Sequence, residues 1–239
     1  MIDPRGLKEL EIATLARLYA LHAEPVAAQG REASRATTAP ASSVASLDWA
    51  RLREAVRTCT ACGLCKQRKQ AVFGVGNESA EWLFVGEGPG ADEDEQGDPF
   101  VGQAGKLLDS MLAAIGIKRG REVYIANVVK CRPPGNRTPT LDEAQACAAF
   151  LDRQIDLIAP KIIVALGKTA ATRLLGTEAS LASLRRKVHH YRGTPVVVTY
   201  HPAYLLRSLP EKAKAWEDLI FARRAARAPA LESGRGVRI

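Results

Sequence analysis

Between residues 81 and 224 the chain alternates two patterns. Short unbroken apolar runs occur at Glu81–Gly86 (EWLFVG), Glu122–Val128 (EVYIANV), Lys161–Leu166 (KIIVAL) and Pro195–Thr199 (PVVVT). Runs apolar at every position predict strands covered on both faces. Between them lie Gln103–Ile115, Thr140–Ile158, Lys168–Leu175 and about Glu211–Arg224, where apolar residues recur at helical spacing. Thr140 and Glu143 stand at the spacing of a capping box, which predicts where the long helix begins. Strands separated by helices predict an α/β protein with a parallel sheet between helical layers. In such folds ligands bind beyond the carboxyl ends of the strands. That directs attention to GEGPG after the first strand, NVVKC after the second and YHPAYLLR after the fourth.

The flanks read differently. Residues 7–21, LKELEIATLARLYAL, have the spacing of an amphipathic helix, and the Ala/Ser/Thr/Pro-rich residues 24–46 have linker composition. Three parts are expected: an N-terminal helix and linker at 1–46, a main domain at 47–226, and a frayed tail at 227–239. The 239 residues are long enough to bury a core without disulfide staples. No apolar run is long enough to span a bilayer, and no secretory pattern opens the chain, so the expectation is a cytoplasmic protein. Net charge is +8, and five of those charges belong to residues 49–222, where 24 basic side chains face 19 acidic ones. A basic body favours a polyanionic partner such as nucleic acid.

Five cysteines, Cys59, Cys62, Cys65, Cys131 and Cys147, change the picture further. In a reducing compartment they read as ligands rather than disulfides. Cys59-Thr-Ala-Cys62 forms one C-x-x-C step, and Cys131 and Cys147 form a second pair. Four thiolates suit either tetrahedral zinc or a 4Fe–4S cluster, and spacing leaves both open. Cys65 exceeds the four required and reads as a chance thiol; Cys147 on a helix reads as a ligand.

The loop Gly86-Glu87-Gly88-Pro89-Gly90 fits neither a dinucleotide fingerprint nor a phosphate-binding loop. Its glycines allow the backbone close to a ligand. Asp92–Glu95 is an acidic run placed where the fold puts its ligand. Phe100 could present a ring face to a planar ligand. Asn127, a polar residue ending an apolar strand, offers the donor and acceptor that read a nucleobase edge. His201 falls at a carboxyl strand end opposite GEGPG. Tyr204, Leu205 and Leu206 could pack as a short helix or enter a base stack as a wedge, with Arg207 meeting a phosphate.

Taken in order, CTAC, VFGVGN, GEGPGADEDEQGDPFVGQAGKLLD, VYIANVVKCRPPGNRTP, the helix with Cys147, KIIVALG and HPAYLLR resemble the family 4 uracil-DNA glycosylases over about residues 57–224. The resemblance implies a three-layer α/β/α sandwich with a four-stranded parallel sheet, uracil specificity and a structural 4Fe–4S cluster. It implies Cys59, Cys62, Cys131 and Cys147 as cluster ligands and gives Cys65 no role. Glu87, Gly88, Phe100, Asn127 and His201 fall on uracil-pocket positions, and Asn136 on a position near the pocket. A superfamily branch that bonds covalently to DNA does so through a His in a basic insert after the second strand. NVVKCRPPGNRTP has neither the insert nor the His.

The implied activity is that of a monomeric, monofunctional glycosylase of base excision repair. It would flip uracil out of DNA and release it as the free base. Neutral His201 would donate to uracil O2. Where related enzymes carry an Asp in the first motif this chain has Gly88, so Glu87, Asp92, Glu93 or Asn136 would position the water. No Lys in these motifs suggests a Schiff base. Two other readings share some features. A zinc-bound nucleic-acid module would not need Glu87, Phe100, Asn127 and His201 to converge. An enzyme of free nucleosides would not need the Tyr204–Arg207 wedge.

Overall fold

A computed structural model describes residues 44–227. The expected helix at 7–21, most of the expected linker and the tail lie outside the described residues. The predicted strands all form: β2 (Trp82–Gly86), β3 (Val123–Asn127), β4 (Ile162–Leu166) and β6 (Thr194–Thr199). They run parallel in the order β3-β2-β4-β6. The sheet, however, has six strands rather than four. β1 (Val75–Gly76) pairs antiparallel with β3, and β5 (His189–Tyr191) pairs antiparallel with β6. Strands of two and three residues with half-exposed side chains carry too little apolar pattern to be read from sequence.

The helices are α1 (Trp49–Thr58), α2 (Ala91–Gln96), α3 (Gln103–Ala114), α4 (Leu141–Ile158), α5 (Lys168–Leu175), α6 (Leu181–Leu184), α7 (Pro202–Arg207) and α8 (Glu211–Arg227). The capping box at α4 forms as predicted: Glu143 N–H donates to Thr140 Oγ1 at 3.2 Å, and Thr140 N–H donates to the Glu143 carboxylate at 2.8 Å. Two cores result from the period of two along the strands. Leu83, Val85, Tyr124, Ala126, Ile163, Ala165, Val196 and Val198 face α1, α4 and α5. Trp82, Phe84, Val123, Ile125, Ile162, Val164 and Val197 face α3, α7 and α8. Each central strand therefore serves both helical layers, as its unbroken apolar pattern requires. The first core extends back to buried Val44. Among the described residues no helix is long and apolar enough to cross a membrane.

The chain steps from β2 to β3 on one side and later returns to β4 on the other side of β2. The strand order thus switches at β2, where a crevice opens beyond the carboxyl ends. One buried ion pair fixes the far wall. Asp218 of α8 accepts from Arg185 Nε at 2.6 Å and from Thr199 Oγ1 at 2.8 Å, tying α8 to the last residue of β6. Asp218→Ala strands a mostly buried guanidinium and is expected to cost about 3–5 kcal/mol in urea unfolding. A loss under about 1 kcal/mol would show that the pair does not brace this end of the sheet.

Candidate active site

The crevice is a cavity of about 470 Å³. Loops after β2, β3 and β6 line it, as topology required, contributing Glu87, Gly88, Phe100, Asn127, Asn136, His201, Tyr204 and Arg207 among others.

Its floor depends on close approach. A Cβ on Gly86 would lie 2.4 Å from Asn127 Oδ1 and 2.7 Å from the Phe100 ring. Only glycine at the end of β2 allows both side chains to occupy that place. Phe100 has φ +57°, a left-handed conformation uncommon for an aromatic residue. Two devices hold it. Arg119 donates to the carbonyls of Pro99 at 2.9 Å and Phe100 at 3.0 Å. Gly105 lets the Phe100 carbonyl come where a Cβ would sit, 1.8 Å from it. Backbone strain of this kind persists only where surroundings over-determine it, and it clusters at functional sites.

Asn127 is buried, and its Oδ1 has no hydrogen-bond partner. A buried acceptor left unpaired beside a cavity points to a donor on a bound molecule. The His201 ring lines the same cavity and stacks beside the Phe100 ring, 5.5 Å from it at 30°. His201 also caps α7, its Nδ1 accepting from the Ala203 N–H at 3.2 Å. With Nδ1 so engaged, the neutral ring carries its proton on Nε2. Burial, aided by the positive charge of Arg207 and opposed by Glu93, pushes the His201 pKa down to about 4. The imidazole is thus neutral at physiological pH.

The acidic run forms α2 and is mostly structural. Glu93 accepts from the N–H groups of Gly90, Val101 and Gly102 at 3.0, 3.0 and 3.2 Å, clamping the GEGPG loop to the Phe100 turn. Asp94 is buried and accepts from Lys69 N–H at 2.9 Å. Asp92 does not line the cavity. Of the expected water-positioning groups, Glu87 and Asn136 are left with side chains facing the cavity and no such clamp. The Glu87 carboxylate accepts from the Thr169 hydroxyl at one oxygen. Asn136, at φ +56°, accepts from Arg132 Nε at 2.7 Å. Arg137 also lines the cavity, but its guanidinium makes a two-pronged bond to Glu143 at 2.7 and 2.8 Å.

Of the two alternatives for Tyr204–Leu206, the short helix forms, as α7, and Leu205 is buried in the second core, 1% exposed. Helical spacing turns Leu205 inward and Leu206, 41% exposed, outward. Tyr204 stacks on Tyr200 with ring centres 5.3 Å apart, and Arg185 lies over the Tyr200 ring. Leu206 is the apolar residue of this segment that faces solvent unengaged.

All five thiols border one small recess behind the cavity, between α1, the loop after β3 and α4. Cys65 is among them, so the structure gives it a place that sequence spacing did not. Among the described residues no three His, Cys, Asp or Glu side chains gather tightly enough for a single metal ion; the thiols ring a space instead. Arg68 reaches this ring and donates to Cys131 Sγ at 2.8 Å and to the Arg57 carbonyl at 2.8 Å. Burial pushes the Cys147 thiol up to about 12 and raises those of Cys131 and Cys62. Gly105, Arg119, Thr169 and Arg68 were not legible as site residues, and Glu93, expected to position the water, instead clamps two loops. Only a surplus of glycines near each strand end hinted at the close approaches.

Comparison with known proteins gives a consistent outcome. Residues 73–220 match the model of the "Uracil DNA glycosylase superfamily". A "Type-4 uracil-DNA glycosylase" of Thermotoga maritima is 50% identical over 157 residues, covering 65% of this chain and 81% of that protein. Proteins of the same description from Archaeoglobus fulgidus and Pyrobaculum aerophilum are 46% and 43% identical, over 63% and 72% of this chain and 79% and 92% of their own.

The His201 environment makes a direct prediction. The ring should titrate near 4 in an NMR pH series, well below the ordinary value of about 6.5. Between those values the unfolded chain takes up a proton that the folded protein refuses. Stability contributed by this group is therefore complete above about pH 6.5 and declines as pH falls toward 4. A His201 titration at 6 or above would refute the neutral assignment.

Proposed function

Because the chain belongs to the type-4 branch of the uracil-DNA glycosylase superfamily, we propose that it hydrolyses the N-glycosidic bond of uracil in DNA. The observation that carries this reading is the unpaired Asn127 Oδ1 beside the Phe100 ring, in a cavity that a neutral His201 also lines. Uracil fits each feature. Its N3–H supplies the donor that Oδ1 lacks, and its O4 accepts from the same amide. Cytosine, with an acceptor at N3 and a donor at C4, reverses both bonds and leaves buried groups unpaired. Phe100 supplies the face on which the ring stacks.

The base must leave its helix to reach such a cavity. Arg207 at the rim meets a phosphate, since Arg137 is committed to Glu143. Leu206, rather than Leu205, enters the space the base leaves. When C1′–N1 breaks, the bonding pair moves onto uracil and positive charge onto the sugar. His201 Nε2–H donates to O2 as the charge develops, and the backbone N–H groups near Gly88 add to it. A water then attacks C1′, and the proton it loses neutralises the departing uracil anion. Glu87 and Asn136 hold it, with Glu87 offering the carboxylate oxygen that Thr169 does not occupy. Free uracil and an abasic site result, the entry to base excision repair.

The thiol ring supports a 4Fe–4S cluster on Cys59, Cys62, Cys131 and Cys147. Cysteines bordering one recess offer the four thiolates such a cluster takes, and the resemblance to the family 4 enzymes favours the cluster over zinc. Held there, a cluster would cross-link distant chain segments and would take no part in bond cleavage. We assign the glycosylase domain to residues 44–227, a slight widening of 47–226 that takes in Val44 of the first core and the last residue of α8. The reading is completed by a monomer acting on DNA in the cytoplasm.

The test is a single-turnover assay on an oligonucleotide with one uracil. Strand scission should appear only after alkali, and His201→Ala should slow it by about 100-fold or more. Protein that carries iron yet never cleaves at uracil would overturn the reading. The α7 geometry adds a contrast. Leu206→Ala should weaken excision from duplex with little change in melting temperature. Leu205→Ala should destabilise the fold by about 2–5 kcal/mol. Equal effects on both would refute the assignment of Leu206 as the wedge.

A further inference from the structure

One buried cation takes no part in the chemistry above. Lys130 lies three residues beyond Asn127 and is 1% exposed. Its Nζ donates to the Asn127 carbonyl at 2.9 Å and to Gln154 Oε1 at 2.6 Å. Gln154, itself fully buried in α4, donates through Nε2 to the Phe73 carbonyl at 2.9 Å. The Lys130 side chain also borders the thiol recess, beside Cys131 and Cys147. The ammonium thus sits between the residue that reads the base and the ring of thiols.

A buried charge is costly unless it is compensated. Both hydrogen-bond partners of Lys130 are neutral. The compensating negative charge at hand is that of the neighbouring thiol ring, whose sulfurs are thiolates when they ligate. The bond from Nζ to the Asn127 carbonyl fixes the backbone of the very residue whose amide must meet the base. Beyond Asn127 the chain is held by Val128 N–H to the Gly86 carbonyl at 2.9 Å and Val129 N–H to the Glu87 carbonyl at 3.2 Å. Lys130 completes this set from below.

We propose that Lys130 is a positioning residue for base recognition, a strut that uses the charge of the ligated thiols to hold Asn127 in register with the pocket. The inference rests on the reading of Asn127 as the base-reading amide. It makes the thiol site more than a cross-link, because a loaded ring and a correctly placed Asn127 favour one another through a single side chain.

The experiment is a double-mutant cycle on the iron-loaded full-length protein, with single-turnover excision and inhibition by free uracil as activity readouts. Iron content, visible absorbance and melting temperature are followed in parallel. Lys130→Met keeps the apolar stem and removes the charge and both bonds. It should slow excision and weaken uracil inhibition by about tenfold or more, the scale of one charge-assisted hydrogen bond. In an Asn127→Ala background the same substitution should cost little further, because its target is gone. Wild-type behaviour of iron-loaded Lys130→Met, or a full additional loss on Asn127→Ala, would overturn the proposal. If Lys130→Met fails to load or fold, Gln154→Met removes the second anchor and leaves the lysine. It must then show the same paired loss of rate and uracil inhibition, and unchanged values refute the strut. Failure of the wild-type protein itself to excise uracil would refute the functional reading instead.

Discussion

The absence of one methyl group, at Gly86, sets the geometry on which the site depends. β2 is the central strand at which the sheet order switches, and its last residue is where the Phe100 ring and the Asn127 amide both crowd in. Any side chain there displaces one or the other. The remaining devices serve the same few ångströms. Gly105 and Arg119 hold the Phe100 turn in a conformation it would not adopt alone, and Glu93 ties that turn to the loop leaving β2. The pocket is therefore a packing solution first and a chemical one second. Its polar groups act from positions that steric exclusion has already fixed.

Much of this architecture was legible in the chain because burial on both faces leaves a strong mark. The apolar runs at β2, β3, β4 and β6 could hardly be anything but central strands, and the Thr140–Glu143 pair marked the start of α4 to the residue. β1 and β5 left no such mark, since two or three half-exposed residues at an edge need no particular composition. α1 and α2 were also missed: α2 is short and acidic, and its stability comes from Glu93 and Asp94 bonding to distant backbone.

Site residues divide along the same line. Those at strand ends, such as Asn127 and His201, could be placed from topology, and the resemblance to a known family supplied roles. Residues that act on other residues carried no signal. Thr169 against Glu87, Arg68 against Cys131 and Lys130 beneath Asn127 are contacts between segments 82, 63 and 3 positions apart, set by how layers pack. Which residue of α7 faces outward was hidden for a related reason. Three large apolar residues in a row look equivalent in a sequence, whereas one turn of helix sends Leu205 into the core and Leu206 to the surface.

The Glu93 clamp has a kinetic meaning. Because three backbone N–H groups around the pocket are already satisfied, the loops need no partner to take their final shape. Little ordering is left for the moment of encounter, so the conformational work falls to the nucleic acid. The fraction of time a base spends outside its stack then enters the overall rate directly. A base that leaves its stack readily then meets a pocket that is already in its final shape.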